Sequence, residues 1–396
     1  MQAAAKEAID GVLRGAVERE NGVPGVVALA TDRRGDLYEG AFGVRELGTG
    51  RAMTPETVFA IFSCTKAVTG VAVMQLVEEG ELSLDDPARE YVPELGEVPV
   101  LEGFDAAGEP RLRPARGEIT VGQLLLHTAG FGYDLFNEDV FRYGQAKGVP
   151  SVITARMDSL RTPLLFDPGE GWEYGINIDW AGRVVEAVRG QRLGEVFRER
   201  IFEPLGMEST AFTLTEEMRR RRATIHQRGE DGSLSPLPDL ELPQEPEQHM
   251  GGHGLYATAG DYTRFIRMIL NDGAGENGRV LRPETVEFMS RNGLPPGMKI
   301  KPLPGVMRQF TNDAEFFPGM PKSWGYTFMI NDEDAPTGRP AGSLGWAGLA
   351  NLYYWIDRKG GLGGFWATQI FPFADEVSFP AYMDFEAAVY RTAGTA

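Results

Sequence analysis

Cysteine is almost absent from this chain. Cys64 stands alone among 396 residues, so no internal disulfide can form, and nothing favours an oxidising compartment. No apolar run approaches the roughly 18 residues that a membrane span needs. The opening MQAAAKEAIDGVLRGAVERE lacks the basic start and apolar core of an export signal. It instead places Ile9, Val12, Leu13, Ala16 and Val17 on one face at helical spacing. These absences predict a cytoplasmic protein with no membrane partner. Positive charge is also scarce: the net charge is −18 and no Lys/Arg cluster interrupts it, so nucleic acid is not an expected partner. The acidity itself implies only solubility.

Other chemistries are excluded by what is missing around particular residues. No serine has glycine two positions before it, which removes the G-x-S-x-G nucleophile elbow. His127 falls in the helix-ending LLLHTAG and His226 in an Arg-rich stretch expected at the surface. His249 and His253 flank MGG, which breaks the helix that an i, i+4 metal pair requires. No metal and no cofactor is expected. The GAGENG run at Gly273 spells a dinucleotide fingerprint, but it follows the helical YTRFIRMIL where that fingerprint needs a strand.

What is present is enough apolar sequence, 42% of residues, to bury a large core. GVVALATDRRGDLYEGAFGV reads as two strands around a turn. From about Thr65 to Ile269 the pattern is mostly helical, with loops such as FDAAGEPRLRPARGE and SPLPDLELPQEPEQ. Beyond Pro321, WGYTFMI, NLYYWID and GGFWATQIF are strand-like and MDFEAAVYRTA closes as a helix. The expected fold class is therefore α/β. One domain is built from residues 1–64 and 255–396, and a mostly helical one from residues 65–254 is inserted between them.

FAIFSCTKAVTG, residues 59–70, then stands out. Val68, Val71, Ala72, Val73, Met74, Leu76 and Val77 make the following helix apolar almost all round, and Gly80 stops it. Ser63 is expected at the N-terminus of that helix, where free N–H groups and the helix dipole suit a developing oxyanion. Lys66, three residues on, shares its face, and so apolar a setting favours the neutral amine, a base. The alternative reading is an ordinary N-cap, since chance supplies about 0.2 Ser-x-x-Lys pairs in such a chain.

The partners of this pair carry a resemblance. SCTK, WEYGINIDWAGRVVEAVRGQ and GSLGWAGLANLYYWID occur in that order, with LSLDDPAREYVPEL, VGQLLLHTAGF, IFEPLGMEST and GGHGLYATAGDYTRF between them. From about residue 20 onward the chain resembles the serine β-lactamase and penicillin-binding-protein superfamily. Within it, the chain is most similar to class C β-lactamase-like carboxylesterases (family VIII esterase type) and related acyltransferases. The resemblance implies an antiparallel sheet flanked by helices, a mostly helical domain, and an active site between them. It makes Ser63 the nucleophile, and Lys66 and Tyr174 its base and proton relay. Where many relatives place Asn two residues after the tyrosine, this chain has Ile176, with Asn177 next. Trp346-Ala347-Gly348 stands where penicillin-recognising members have Lys-Thr-Gly. Trp346 offers an apolar face and one N–H, Gly348 lets backbone approach the substrate, and the N–H of Leu349 joins that of Ser63 as the oxyanion hole. Tyr133, in FGYDLFNEDVFRYG, is expected to line the pocket. The function so implied is hydrolysis of small neutral esters through an acyl-enzyme. The alternatives are acyl transfer to an alcohol, hydrolysis of β-lactam or oligomeric amides, and a non-catalytic descendant that only binds. The oligomeric state is not legible.

Overall fold

Val26, Val27, Ala28, Leu29 and Ala30 are all fully buried, so the strand they form must be covered on both faces. This computed structural model describes residues 3–393. That strand is β1 (Gly25–Asp32), and β2 (Asp36–Gly43) returns beside it through the expected turn. The remaining strands of the sheet come from the other end of the chain: β3 (Lys322–Trp324), β4 (Met329–Asn331), β5 (Leu344–Gly348), β6 (Leu352–Asp357) and β7 (Leu362–Ala367). All pairs are antiparallel, in the order β2-β1-β7-β6-β5-β4-β3.

Alternation along β6 and β7 assigns the two faces. Tyr354 and Phe365 meet Tyr262 of helix α4 (Ala259–Leu270) on one side, after α1 (Ala3–Glu18), α2 (Thr65–Glu79) and α3 (Asn177–Arg189) in chain order. Trp355 and Trp366 meet Phe385 of α5 (Ser378–Ala393) on the other, where α1 also packs. Gly364 makes this layer possible. A Cβ there would lie 2.2 Å from the Trp355 indole, which crosses the strand at that point.

Several expectations are corrected. WGYTFMI is not one strand but two, because the chain turns between Gly325 and Phe328, where Thr327 adopts φ +82. The 65–254 segment also carries hairpins, Val100–Phe104 with Pro110–Arg113 and Ile225–Arg228 with Leu234–Leu237. The first arises inside a presumed loop because the Asp105 carboxylate accepts from the N–H groups of Ala107 and Glu109 at 2.8 and 2.9 Å, closing a tight turn. His226 lies on the second hairpin and is buried rather than at the surface, with its Nε2 accepting from the Leu47 N–H. Among the described residues no helix is long and apolar enough to cross a membrane.

The closing helix is tied to the loop between β4 and β5 by a fully buried ion pair. Arg339 Nε donates to Glu386 Oε1 at 2.8 Å, its Nη2 reaches Glu386 Oε2, and the same nitrogen donates to the Tyr382 hydroxyl at 2.8 Å. Removing one partner strands the other charge. Glu386→Ala should cost about 3–5 kcal/mol of unfolding free energy in denaturant titration, whereas Arg339→Met with Glu386→Leu should cost markedly less. If the double replacement proves as damaging as the single one, the pair is not the source of the loss.

Candidate active site

The strand Val58–Ala60 pairs with Tyr256–Thr258, and the chain then tightens into a 3₁₀ turn at Phe62–Cys64 before α2 begins at Thr65. Ser63 therefore sits in the turn that feeds the helix rather than at its first residue. Neither Ile61 nor Cys64 provides a capping side chain, and Phe62 is left-handed at φ +43. The turn is pinned from behind. Tyr262 donates to the Cys64 carbonyl at 2.9 Å, and the Thr65 hydroxyl accepts from the Leu255 N–H. The Cys64 thiol is fully buried and burial pushes its pKa up, which makes it part of the packing.

Lys66 is on the first turn of α2, and its Nζ lies 3.1 Å from Ser63 Oγ. Two further oxygens surround it, the Tyr133 hydroxyl at 3.0 Å and the Gly252 carbonyl at 2.7 Å. Burial lowers the Lys66 pKa to about 7, against an opposing pull from the Asp179 charge. The amine is therefore available as a base near neutral pH. Tyr133 was expected only to line the pocket. It does so, and its hydroxyl also donates to Asp179 Oδ2 at 3.0 Å.

Tyr174 enters from the segment just before α3. The helix starts at Asn177, later than the Gly175 start that the sequence suggested, because the residues around Tyr174 are held by His127 instead. The His127 carbonyl accepts from the Glu173 N–H at 2.9 Å, and its Nδ1 faces the Gly175 N–H at 3.4 Å. Asn177 donates to the same Nδ1 and to the Phe131 carbonyl, both at 3.0 Å, so it braces the scaffold behind Tyr174. With two donors on Nδ1, His127 is a neutral imidazole carrying its proton on Nε2, and burial holds its pKa well below the usual histidine range.

The Tyr174 hydroxyl hydrogen bonds the Ser63 side chain and accepts from Trp346 Nε1 at 3.0 Å. Burial raises its pKa, with those two hydrogen bonds opposing, so the group is a phenol at neutral pH and not a phenolate. Trp346 lies edge-on to Tyr174 and Trp324, with ring centroids 4.9 and 4.7 Å away. Its indole thus takes part in the site, where sequence left open a purely packing role. Gly348 touches the nucleophile turn: a Cβ there would sit 2.4 Å from the Ile61 carbonyl oxygen. Leu349 and Ser63 both line the cavity above it.

That cavity is narrow and apolar, walled by Phe62, Leu135, Phe136, Val152, Trp346 and Phe373. Phe136, Tyr174 and Leu303 also border a second hollow of about 480 Å³ that runs past Glu173 to Lys301. Among the described residues no group of three His, Cys, Asp or Glu side chains could hold a metal ion.

Sequence reasoning missed Asp179, Gly252 and His253. Asp179 had a signal, an acid on the apolar face of an otherwise amphipathic helix five residues after Tyr174. Gly252 had none, since only the fold brings it within reach of Lys66. His253 lines the cavity and its Nε2 lies 3.0 Å from the Val152 carbonyl oxygen.

Comparison with known proteins agrees with this fold. The Beta-lactamase family profile matches residues 7–388. A monacolin J acid methylbutanoyltransferase of Aspergillus terreus is 31% identical over 394 residues, covering 93% of this chain and 92% of its own. A lovastatin esterase of Penicillium rubens is 31% identical over 386 residues, covering 93% and 94%. The unliganded simvastatin synthase from Aspergillus terreus superposes with a TM-score of 0.85 at 30% identity over 100% of both chains. A Ser-x-x-Lys turn set against an antiparallel sheet, in a chain matched along nearly its whole length, makes this protein a member of the β-lactamase family, with the fold shared by serine β-lactamases and penicillin-binding proteins.

Proposed function

We propose that the protein transfers a short acyl group from a neutral ester to an alcohol through an acyl-enzyme on Ser63. The observation that carries this reading is a pair of hollows bordered by the same residues, Phe136, Tyr174 and Leu303: a narrow apolar cavity over Ser63, suited to the acyl group, and a larger hollow with room for an acceptor. Relatives named as acyltransferases support it. The sequence favoured hydrolysis as the main outcome, and the lovastatin esterase at 31% identity keeps water as the second acceptor to consider.

The residues take the following roles. Ser63 Oγ attacks the ester carbonyl carbon as its proton passes to neutral Lys66. The N–H groups of Ser63 and Leu349 receive the developing oxyanion. When the ester C–O bond breaks, the leaving oxygen takes a proton from Tyr174, which is refilled from Lys66. The acceptor alcohol then gives its proton to the same pair, attacks the acyl carbon and releases Ser63, whose oxygen takes the proton back. Trp346 keeps the Tyr174 oxygen occupied on its far side and brings no cation for a substrate carboxylate.

The direct test is p-nitrophenyl butyrate with and without added n-butanol. Butyl butyrate should form at the expense of butyrate, intact-mass analysis should find the acyl group on Ser63, and Ser63→Ala should lose both products. Butyrate as the sole product would leave the esterase reading in place. Single-turnover acylation should rise with pH through a midpoint near 7, because the base is the unprotonated form of an amine with pKa about 7. A flat profile between about pH 5.5 and 8.5 would remove Lys66 as the base. A hydrogen bond to a charged group contributes roughly 1.5–3 kcal/mol, so without a carboxylate-binding cation nitrocefin should be processed about 10- to 150-fold less efficiently in kcat/KM than the best neutral ester. Equal efficiency in side-by-side kinetics would show that Trp346 does not set substrate charge.

A further inference from the structure

Lys66 has three neighbours but, as a neutral amine, only two N–H groups and one lone pair. Which neighbour receives the lone pair decides whether it can act as a base. The Gly252 carbonyl can only accept, so it takes one N–H. The Tyr133 hydroxyl could either accept from Lys66 or donate to it, and here the choice is made by a carboxylate. Asp179 Oδ2 lies 3.0 Å from the Tyr133 hydroxyl and can only accept, so the single Tyr133 proton is directed to it and the Tyr133 oxygen takes the second Lys66 N–H. The lone pair is left for the proton of Ser63.

The other carboxylate oxygen is engaged too. Asp179 Oδ1 accepts from the Gly252 N–H at 2.8 Å, so one carboxylate grips both groups that hold Lys66. The fit is close: a Cβ on Gly252 would lie 2.4 Å from Asp179 Oδ2. The Gly252 loop is further secured at its neighbour, where the Thr69 hydroxyl donates to the Gly251 carbonyl at 2.6 Å. Asp179 itself is buried and lies on α3, which Tyr174 precedes.

We propose that Asp179 is a positioning residue that sets the direction of proton flow, locking the Tyr133 hydroxyl so that the Lys66 lone pair faces Ser63. This rests on the reading of Lys66 as the base for Ser63. After Ser63 gives up its proton, the ammonium has three N–H groups for the same three oxygens, so neither state requires a neighbour to move.

Asp179→Asn discriminates sharply because Gly252 fixes the amide orientation. The amide oxygen must face the Gly252 N–H, which turns the amide NH₂ toward Tyr133. The Tyr133 proton is then displaced toward Lys66 and competes with Ser63 for the lone pair. Pre-steady-state acylation by p-nitrophenyl butyrate should fall about 10- to 100-fold in Asp179→Asn. Its acid limb should nevertheless move to lower pH, since the Asp179 charge raises the Lys66 pKa in the parent. The other titratable groups facing Lys66 are Cys64, His127, Tyr133, Tyr174 and His253, and burial favours the neutral form of each. Removing the competing hydroxyl should restore activity, so Tyr133→Phe/Asp179→Asn should acylate faster than Asp179→Asn alone. A double variant equal to or slower than Asp179→Asn overturns the proposal. Should Asp179→Asn not fold, Tyr133→Phe alone decides. It should keep at least about tenfold more acylation than Lys66→Ala, because Tyr133 only orients the base, and parity between those two variants overturns the proposal. A parent enzyme that forms no acyl-enzyme would instead remove the proposed function, which separates the two failures.

Discussion

The site depends on burying one amine without a carboxylate against it. Lys66 is wholly inside the protein, and among the described residues it forms no salt bridge. Asp179 does not touch it: its hydrogen bonds go to Tyr133 and the Gly252 peptide, and only its charge reaches the amine. That separation decides the electrostatics. A carboxylate touching Nζ would hold the amine as an ammonium, with no lone pair to offer. At one remove, desolvation outweighs the attraction and the pKa settles at about 7. The three oxygens around Nζ meet its hydrogen-bonding needs in either protonation state, so titrating it leaves no polar group unpaired.

The architecture brings together groups that are far apart in the chain. Ser63 and Lys66 lie either side of the start of α2, Tyr133 comes from a loop, Tyr174 and Asp179 from the entry and first turn of α3, Gly252 from the segment ahead of α4, and Trp346 from β5. Each is held from outside the cavity. His127 grips the backbone on both sides of Tyr174, and Gly348 presses the strand against the nucleophile turn. Such support keeps reacting atoms in place before a substrate arrives.

The large features were legible because they are written in local pattern. The apolar circumference of Val68–Leu76, the stop at Gly80 and the apolar, β-rich runs near both ends of the chain are features of local sequence, and they hold in the structure apart from WGYTFMI, which splits in two. Ser63, Lys66, Tyr174 and Trp346 could be singled out by motif order, and the structure brings them within contact of one another. What could not be read depends on backbone closing across long separations. Gly252 contributes a carbonyl, which every residue has, so nothing in its identity advertised the contact. Tyr133 looked like one aromatic wall among several, since its second role arises only where Asp179 meets it. The hairpin at Val100–Arg113 was hidden because its turn chemistry, centred on Asp105, also suits a loop.

The indole at position 346 also changes what selectivity means here. A pocket with a lysine at this place recognises an anion by attraction. One walled by Trp346, Phe136 and Phe373 sorts by exclusion: a charged group entering it would lose its water and find no counter-ion, a cost of several kcal/mol. Exclusion itself sets no chemical preference among uncharged groups, whose size the narrow cavity limits. On the proposed function, such a site would reject charged acyl groups, and changes in acyl preference would accumulate on the cavity walls without touching the groups that move protons.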